Sequence, residues 1–200
     1  MNLFSKAILS AAIIGIALTG CGEKKDNHLK VGAIAGAETQ VAEEAAKIAK
    51  EKFGLEVEIV QFSDFATPNV ALNDGSIDVN AFQHKPYLDS QIKDRGFKLV
   101  AVGNTFVYPI AGYSKKIKNI SELKEGSQIA VPNDPTNLGR SLLLLQKQGL
   151  LKLKDGSGLT ATVLDIVENP KKVKIVELEA AQLPRALEDV DLAIINTVYA

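Results

Sequence analysis

The stretch that most limits what this chain can become runs from Ile129 to Leu145. Ile129-Ala130-Val131-Pro132 is a short apolar run bounded by turn residues, and it reads as a buried strand. Asn133-Asp134-Pro135 turns the chain, and a leucine-rich helix begins at about Thr136. Asp134 is a good N-cap, because its carboxylate can accept from the free amides of the first turn. Pro135 then falls at the first helical position, where its missing N–H costs nothing. Leu138, Leu142 and Leu145 recur on one face, and Gly149 stops the helix. A strand, a tight turn and a helix N-terminus leave amides free to meet an anion. Arg140 lies in the next turn and a half and can reach back over that end. A backbone nest beside a guanidinium fork is a carboxylate receptor. The competing reading is an ordinary surface arginine on an amphipathic helix, and spacing alone does not separate the two.

Two hundred residues suffice for one or two domains with a packed core. The net charge of -1 is near neutral, and Lys and Arg alternate with Asp and Glu along the helical stretches, as on solvated faces. That pattern excludes a nucleic-acid partner held by a basic patch.

The N-terminus carries a targeting segment, residues 1–20. Lys6 supplies its positive region, and Ala7 to Leu18 is an apolar run too short to span a bilayer. It ends in Leu18-Thr19-Gly20-Cys21, which resembles the lipobox of bacterial lipoprotein signal peptides. Cys21 is the only cysteine, so there is neither a disulfide framework nor a thiolate metal cluster. The expectation is cleavage before Cys21, acylation of its thiol, and a polar tether over residues 21–28. Two or more acyl chains hold a protein stably at a membrane where one does not.

Beyond the tether, strands and helices alternate. Leu29 to Ile34 reads as a strand, Gly36 and Ala37 as a turn, and Glu38 to Phe53 as a helix with Val41, Ala45, Ile48 and Ala49 on its apolar face. Leu55 to Phe62 is the second strand. Thr67-Pro68 caps a short helix ending at Gly75, and Ile77 to Phe82 is the third strand. Lys85-Pro86 opens a helix carrying Tyr87, Leu88 and Ile92, stopped by Gly96, and Phe97 to Val102 is the fourth strand. Asn104 to Tyr113 is long, apolar and broken by Pro109, and reads as a crossing segment. After it come a Ser121-capped helix to Gly126, the strand and leucine helix already described, and a possible strand from Thr162 to Val167. Lys172 to Leu178 is a strand, Gln182 to Leu187 a short helix, and Asp191 to Asn196 a last strand. Such alternation calls for parallel sheets covered by helices, and two α/β lobes with a cleft at the strand ends form a binding architecture.

Catalytic equipment is missing. A Ser/His/Asp or Cys/His site needs a histidine, and the two are His28, in the tether, and His84; there is no nucleophile elbow and no His/Asp cluster at metal-ligand spacing, which leaves an enzyme built on scattered carboxylates as the open alternative. Gly32 and Gly36 echo a nucleotide loop, but their spacing is wrong for a dinucleotide fingerprint and no Walker lysine follows, so they read as turn glycines. No cofactor is called for, and a binder is expected rather than an enzyme.

Three blocks then carry a resemblance: Asn80-Ala81-Phe82-Gln83-His84-Lys85-Pro86-Tyr87-Leu88, Gly103-Asn104-Thr105-Phe106-Val107-Tyr108-Pro109, and Val131-Pro132-Asn133-Asp134-Pro135-Thr136-Asn137-Leu138-Gly139-Arg140. With the lipobox and Val31-Gly32, the chain resembles the methionine-binding lipoprotein family (the MetQ/NlpA type of ABC-importer receptors) over essentially its whole length. The resemblance implies a type 2 periplasmic-binding-protein fold, lobe 1 over residues 29–106 and lobe 2 over 107–200. It implies capture of L- or D-methionine between the lobes and delivery to a membrane permease driven by an ATPase. It also implies a protein anchored in the cell membrane through its lipid, facing the periplasm or the exterior. Family members continue further and return to the first lobe, so the resemblance implies a C-terminally truncated chain with one crossing.

Carried onto matching positions, Arg140 resembles the residue that pairs with the ligand carboxylate, and Asn196 the asparagine that fixes the amino-acid backbone. Phe82, His84 and Tyr87 resemble the wall around the thioether, with Phe65 a weaker candidate and Asn137 either a ligand contact or part of the helix cap. Sulfur against aromatic edges is favourable. For Phe82 and Tyr87 the competing reading is core packing. A charge-assisted hydrogen bond and a buried methionine side chain each contribute about 1.5–3 kcal/mol, whereas a micromolar complex needs about 8 kcal/mol, so neither grip suffices alone. Two other classes remain open: a receptor for another amino acid or short peptide, and a surface lipoprotein or adhesin that keeps the fold without transport.

Overall fold

The computed structural model describes residues 27–200; the targeting segment, Cys21 and most of the tether lie outside the described residues. Among the described residues, nine strands and five α-helices form two main sheets and a small hairpin-like pair.

The first sheet has the order β2-β1-β3, with β1 at His28–Ile34, β2 at Glu56–Phe62 and β3 at Val79–Asn80. All its pairings are parallel. Helix α1, Ala37–Phe53, connects β1 to β2, ending at Gly54 in the left-handed conformation, φ 65°. Helices α2, Thr67–Asn73, and α3, Lys85–Arg95, flank β3. Gly32 is not a turn glycine: it lies mid-strand in β1, where a Cβ would fall 2.7 Å from the Ile77 side chain and 2.9 Å from Phe62. Gly36 is the turn residue, at φ 113°.

Three expectations for this half need correction. The third strand shrinks from Ile77–Phe82 to two residues, leaving Ala81 to His84 irregular. Phe97 to Val102 forms no strand, because so short a β3 offers no ladder to extend, and Val100 and Val102 are 79% and 84% exposed. The apolar face of α1 is largely uncovered among the described residues: Val41 and Ile48 are about half exposed, and Ala45 is exposed as well.

The second sheet runs β4-β9-β5-β8, with β4 at Ile110–Tyr113, β5 at Gln128–Pro132, β8 at Lys174–Leu178 and β9 at Leu192–Asn196. It is mixed rather than wholly parallel, since the crossing segment enters as β4 antiparallel to β9. Strand alternation divides its side chains between two faces. Ile129, Val131, Leu192 and Ile194 meet Leu138, Leu142 and Leu145 of α4, Pro135–Lys147. Ala130, Ala193 and Ile195 meet Leu183 and Ala186 of α5, Leu183–Ala186. The leucine face expected for α4 is therefore the centre of this core, with Leu142 and Leu145 fully buried. Gly139 lets α4 touch the 3-10 turn Gly158–Thr160: a Cβ there would sit 2.2 Å from the Leu159 carbonyl oxygen.

Smaller corrections follow from local hydrogen bonding. The turn at Ile120–Glu122 is 3-10 and is capped by Asn119, whose Oδ1 accepts from Ser121 N–H and Oγ, so Ser121 is not the cap. Thr162 to Val167 opens as a 3-10 turn and only then becomes β7, Ile166–Glu168, paired with the unforeseen β6, Lys152–Leu153. The expected helix Gln182 to Leu187 is a 3-10 turn at Ala180–Gln182 followed by the single turn of α5.

Candidate functional site

The site is assembled where the N-terminus of α4, the end of β9 and the start of α3 come together. Asp134 caps α4 as its residue type demands: Oδ1 accepts from Asn137 N–H at 2.9 Å and from Thr136 Oγ1 at 2.9 Å. Its Oδ2 accepts from Asn137 Nδ2 at 2.8 Å, which fixes the orientation of the Asn137 amide. Asn137, 2% exposed, therefore serves the cap and turns its Oδ1 into the site.

Three donors converge on that one oxygen. Arg140 Nη1 donates to it at 2.9 Å, Asn196 Nδ2 at 3.0 Å, and His84 Nε2 lies at 3.3 Å. The tautomer of His84 follows from its other nitrogen. Nδ1 accepts from Tyr87 N–H at 3.1 Å as the N-cap of α3, so the neutral ring carries its proton on Nε2 and donates. Burial holds the His84 pKa below the ordinary imidazole value, and the nearby Arg140 charge adds to this against the Asn137 hydrogen bond. A carbonyl oxygen has two lone pairs, so three donors exceed what it can satisfy. A carboxylate entering here would offer about four acceptor positions to the same donors.

Arg140 also donates from Nη2 to the Tyr108 carbonyl at 3.1 Å and makes no salt bridge among the described residues. Burial draws its pKa down, and the Asp134 charge opposes that. Asn196, 6% exposed, ends β9, and Thr197 ties that end to the crossing segment by donating its N–H and Oγ1 to the Pro109 carbonyl. Asn196 Oδ1 is buried with no hydrogen-bond partner among the described residues. At the α4 terminus Asp134 takes the Asn137 N–H on Oδ1 and the Leu138 N–H on its carbonyl, so the donors that gather here come from side chains and not from the backbone nest expected.

Beside this polar end stands a cluster of rings. Phe65 stacks on Phe82 at 5.9 Å between centroids and meets Tyr87 edge-on at 6.2 Å. Phe82 meets Tyr87 at 6.0 Å, and His84 meets Tyr87 at 6.2 Å, both edge to face. Tyr87 Oη donates to the Phe65 carbonyl at 2.8 Å, which locks the ring that α3 presents. All of the sequence-predicted residues within the described region, Phe65, Phe82, His84, Tyr87, Asn137, Arg140 and Asn196, fall in this one neighbourhood.

Sequence reasoning missed Tyr199, whose ring lies 4.9 Å from Phe65 and whose Oη is buried without a partner among the described residues. Its place three residues after Asn196 was the available signal. It also missed Glu38, 8% exposed at the start of α1, where burial lifts its carboxyl pKa to about 7 against the Ile34 N–H that it accepts. Burial raises the pKa of the Tyr87 and Tyr199 phenols, so both are neutral donors. Among the described residues there is no group of three metal-ligating side chains, and no helix is long and apolar enough to cross a membrane.

Comparison with known proteins converges on one group. A model of the NlpA lipoprotein family matches residues 29–200. The D-methionine-binding lipoprotein MetQ of Escherichia coli (strain K12) is 70% identical over 198 residues, covering 97% of this chain and 73% of the relative. A crystal structure of the methionine binding protein MetQ superposes with a TM-score of 0.86 at 73% identity, covering 87% of this chain and 72% of that one. A nutrient binding protein from Burkholderia cenocepacia, solved bound to methionine, gives a TM-score of 0.84 at 56% identity, covering 86% of this chain and 73% of that one.

Proposed function

This chain belongs to the NlpA lipoprotein family, and we propose that it is the substrate-binding lipoprotein of an ABC importer, which captures methionine and hands it to a membrane permease driven by an ATPase. Its α/β fold is that of the MetQ-type binding proteins. The two sheets are read as the cores of two lobes, residues 29–106 and 107–200, with methionine held at their junction.

The observation that carries this reading is the convergence of Arg140 and Asn196 on Asn137 Oδ1, next to a wall of rings. Arg140 takes the ligand carboxylate in place of its present carbonyl partners. Asn196 donates to the same carboxylate, and its free Oδ1 accepts from the α-ammonium. Asn137 holds both donors in place between ligands. Phe65, Phe82, His84 and Tyr87 line the slot for the thioether, joined by Tyr199. A linear, polarizable side chain suits rings presented edge and face. The methionine-bound relative and the methionine-binding names of the others support the choice of ligand.

Mass spectrometry of the ligand that co-purifies, followed by calorimetry with L-methionine, D-methionine and glutamine, tests the assignment. Methionine released on denaturation and a shift by methionine alone are expected; a shift by glutamine without methionine would overturn the substrate. Anchoring through Cys21 is part of the same proposal. Cys21→Ser should move the protein to the soluble fraction with unchanged ligand affinity, and membrane retention after a salt wash would contradict it.

A further inference from the structure

On either side of Phe82 along the chain, Asn80 and Gln83 join Asn69 in a second polar cluster, made only of amides. Asn69, in the first turn of α2, is fully buried. Its Nδ2 donates to Gln83 Oε1 at 2.9 Å, and its Oδ1 accepts from Gln83 Nε2 at 2.7 Å, so the two amides pair reciprocally. Asn80, the last residue of β3, donates to the same Asn69 Oδ1 at 2.9 Å and to the Pro68 carbonyl at 3.3 Å, and accepts from Gln83 Nε2 at 3.1 Å. Both hydrogens of Gln83 and both of Asn80 are thus used.

The cluster ties down the middle of an irregular segment whose flanking Phe82 and His84 are held by the rings, by Asn137 and by the start of α3. Ala81 to His84 carry no regular secondary structure, and Ala81 N–H donating to the Gly32 carbonyl is the last tie to the sheet. Gln83 turns toward Asn69, while its neighbours Phe82 and His84 turn the other way, to the rings and to Asn137. A reciprocal amide pair fixes direction as well as distance, and a closed network in a buried site resists shifts that leave any member unpaired.

We propose that Asn69 is a positioning residue for the side-chain slot: through Gln83 and Asn80 it sets where Phe82 and His84 stand. The proposal rests on the methionine reading for its consequence, but its structural core does not need a ligand. A leucine at 69 would leave Gln83 Oε1 unpaired and free one hydrogen each on Gln83 and Asn80. The segment would then relax toward water, since an unsatisfied buried polar group is costly. The three amides are neutral, so the effect is geometric rather than electrostatic.

The test uses Asn69→Leu and, in case that variant does not fold, Gln83→Met, which removes the same pairing from a half-buried position. Two measurements are made on each folded variant: methionine affinity by calorimetry, and the imidazole titration of His84 by proton NMR without ligand. We expect affinity to fall about tenfold or more. We also expect the His84 curve to move up toward the ordinary imidazole range, because burial is the main cause holding it down. A merely structural role lowers the melting temperature without moving that curve. His84 curves superimposed on the wild type in both variants would overturn the proposal whatever happens to affinity. A shifted curve in a protein whose wild type binds no methionine would support positioning while ending the ligand assignment.

Discussion

The two sheets hold their halves of the site by different means. In the second, both faces of β5 and β9 are buried, Ile129 and Ile194 against α4 and Ala130 and Ile195 against α5, and the polar grip grows from the ends of these packed elements. In the first, the core is thin: Ala33, Ile34, Ile77, Tyr87 and Leu88 are buried, while Val41, Ile48 and Phe53 of α1 are exposed. There Phe65, Phe82 and Tyr87 pack on one another, and the amides of Asn69, Asn80 and Gln83 bond to each other beside the segment that carries Phe82. On the proposed reading, donors that must meet a charged group at fixed distances stand on a rigid scaffold, and rings that surround a flexible side chain tolerate a lighter one.

That contrast can be broken at several points. Phe82→Ala should weaken methionine binding by about 1.5–3 kcal/mol, the burial value of one large apolar side chain, with the melting temperature of the ligand-free protein nearly unchanged. Calorimetry and a thermal melt together check this, and a collapse of the melt would mean that the ring is core rather than wall. On the other side, Gly139→Ala drives a Cβ into the Leu159 carbonyl and should destabilise the dense half by about 1–3 kcal/mol. Urea unfolding measures it; an unchanged midpoint would show that the close contact between α4 and the 3-10 turn can give way freely.

A third test concerns pH. Glu38 has its folded pKa raised to about 7 by burial. As pH rises from the ordinary carboxyl range toward 7, the unfolded chain loses this proton while the folded chain keeps it, so stability falls across that window and levels off above it. Glu38→Gln should remove that slope and raise the melting temperature at pH 8 by about 2–4 °C for each kcal/mol recovered. Parallel pH-melt profiles of the two proteins would contradict the burial of this carboxyl.

Much of this division was legible in the sequence. The spacing of Leu138, Leu142 and Leu145 and the Asp134-Pro135 cap are local patterns, and local patterns decided α4 and the place of Arg140. Phe97 to Val102 misled because a short, mostly apolar run says nothing about whether a partner strand is at hand. The amide cluster was invisible because Asn69, Asn80 and Gln83 are scattered polar residues until α2 folds over β3. Asn137 carries two possible roles, and the geometry shows why: one amide donates its nitrogen to the capping Asp134 and gathers the donors with its oxygen.

The central claim is that Arg140 grips the carboxylate of a methionine whose side chain the ring wall receives. Calorimetry of four pairings tests it most directly: wild type and Arg140→Ala, each with methionine and with methioninol, which lacks the carboxylate. Losing one partner of a buried charged pair costs about 2–5 kcal/mol. The account predicts that the wild type prefers methionine by a correspondingly large factor and that Arg140→Ala binds the two compounds alike. If Arg140→Ala keeps the wild-type preference for methionine over methioninol, the carboxylate is held by something else and the claim fails.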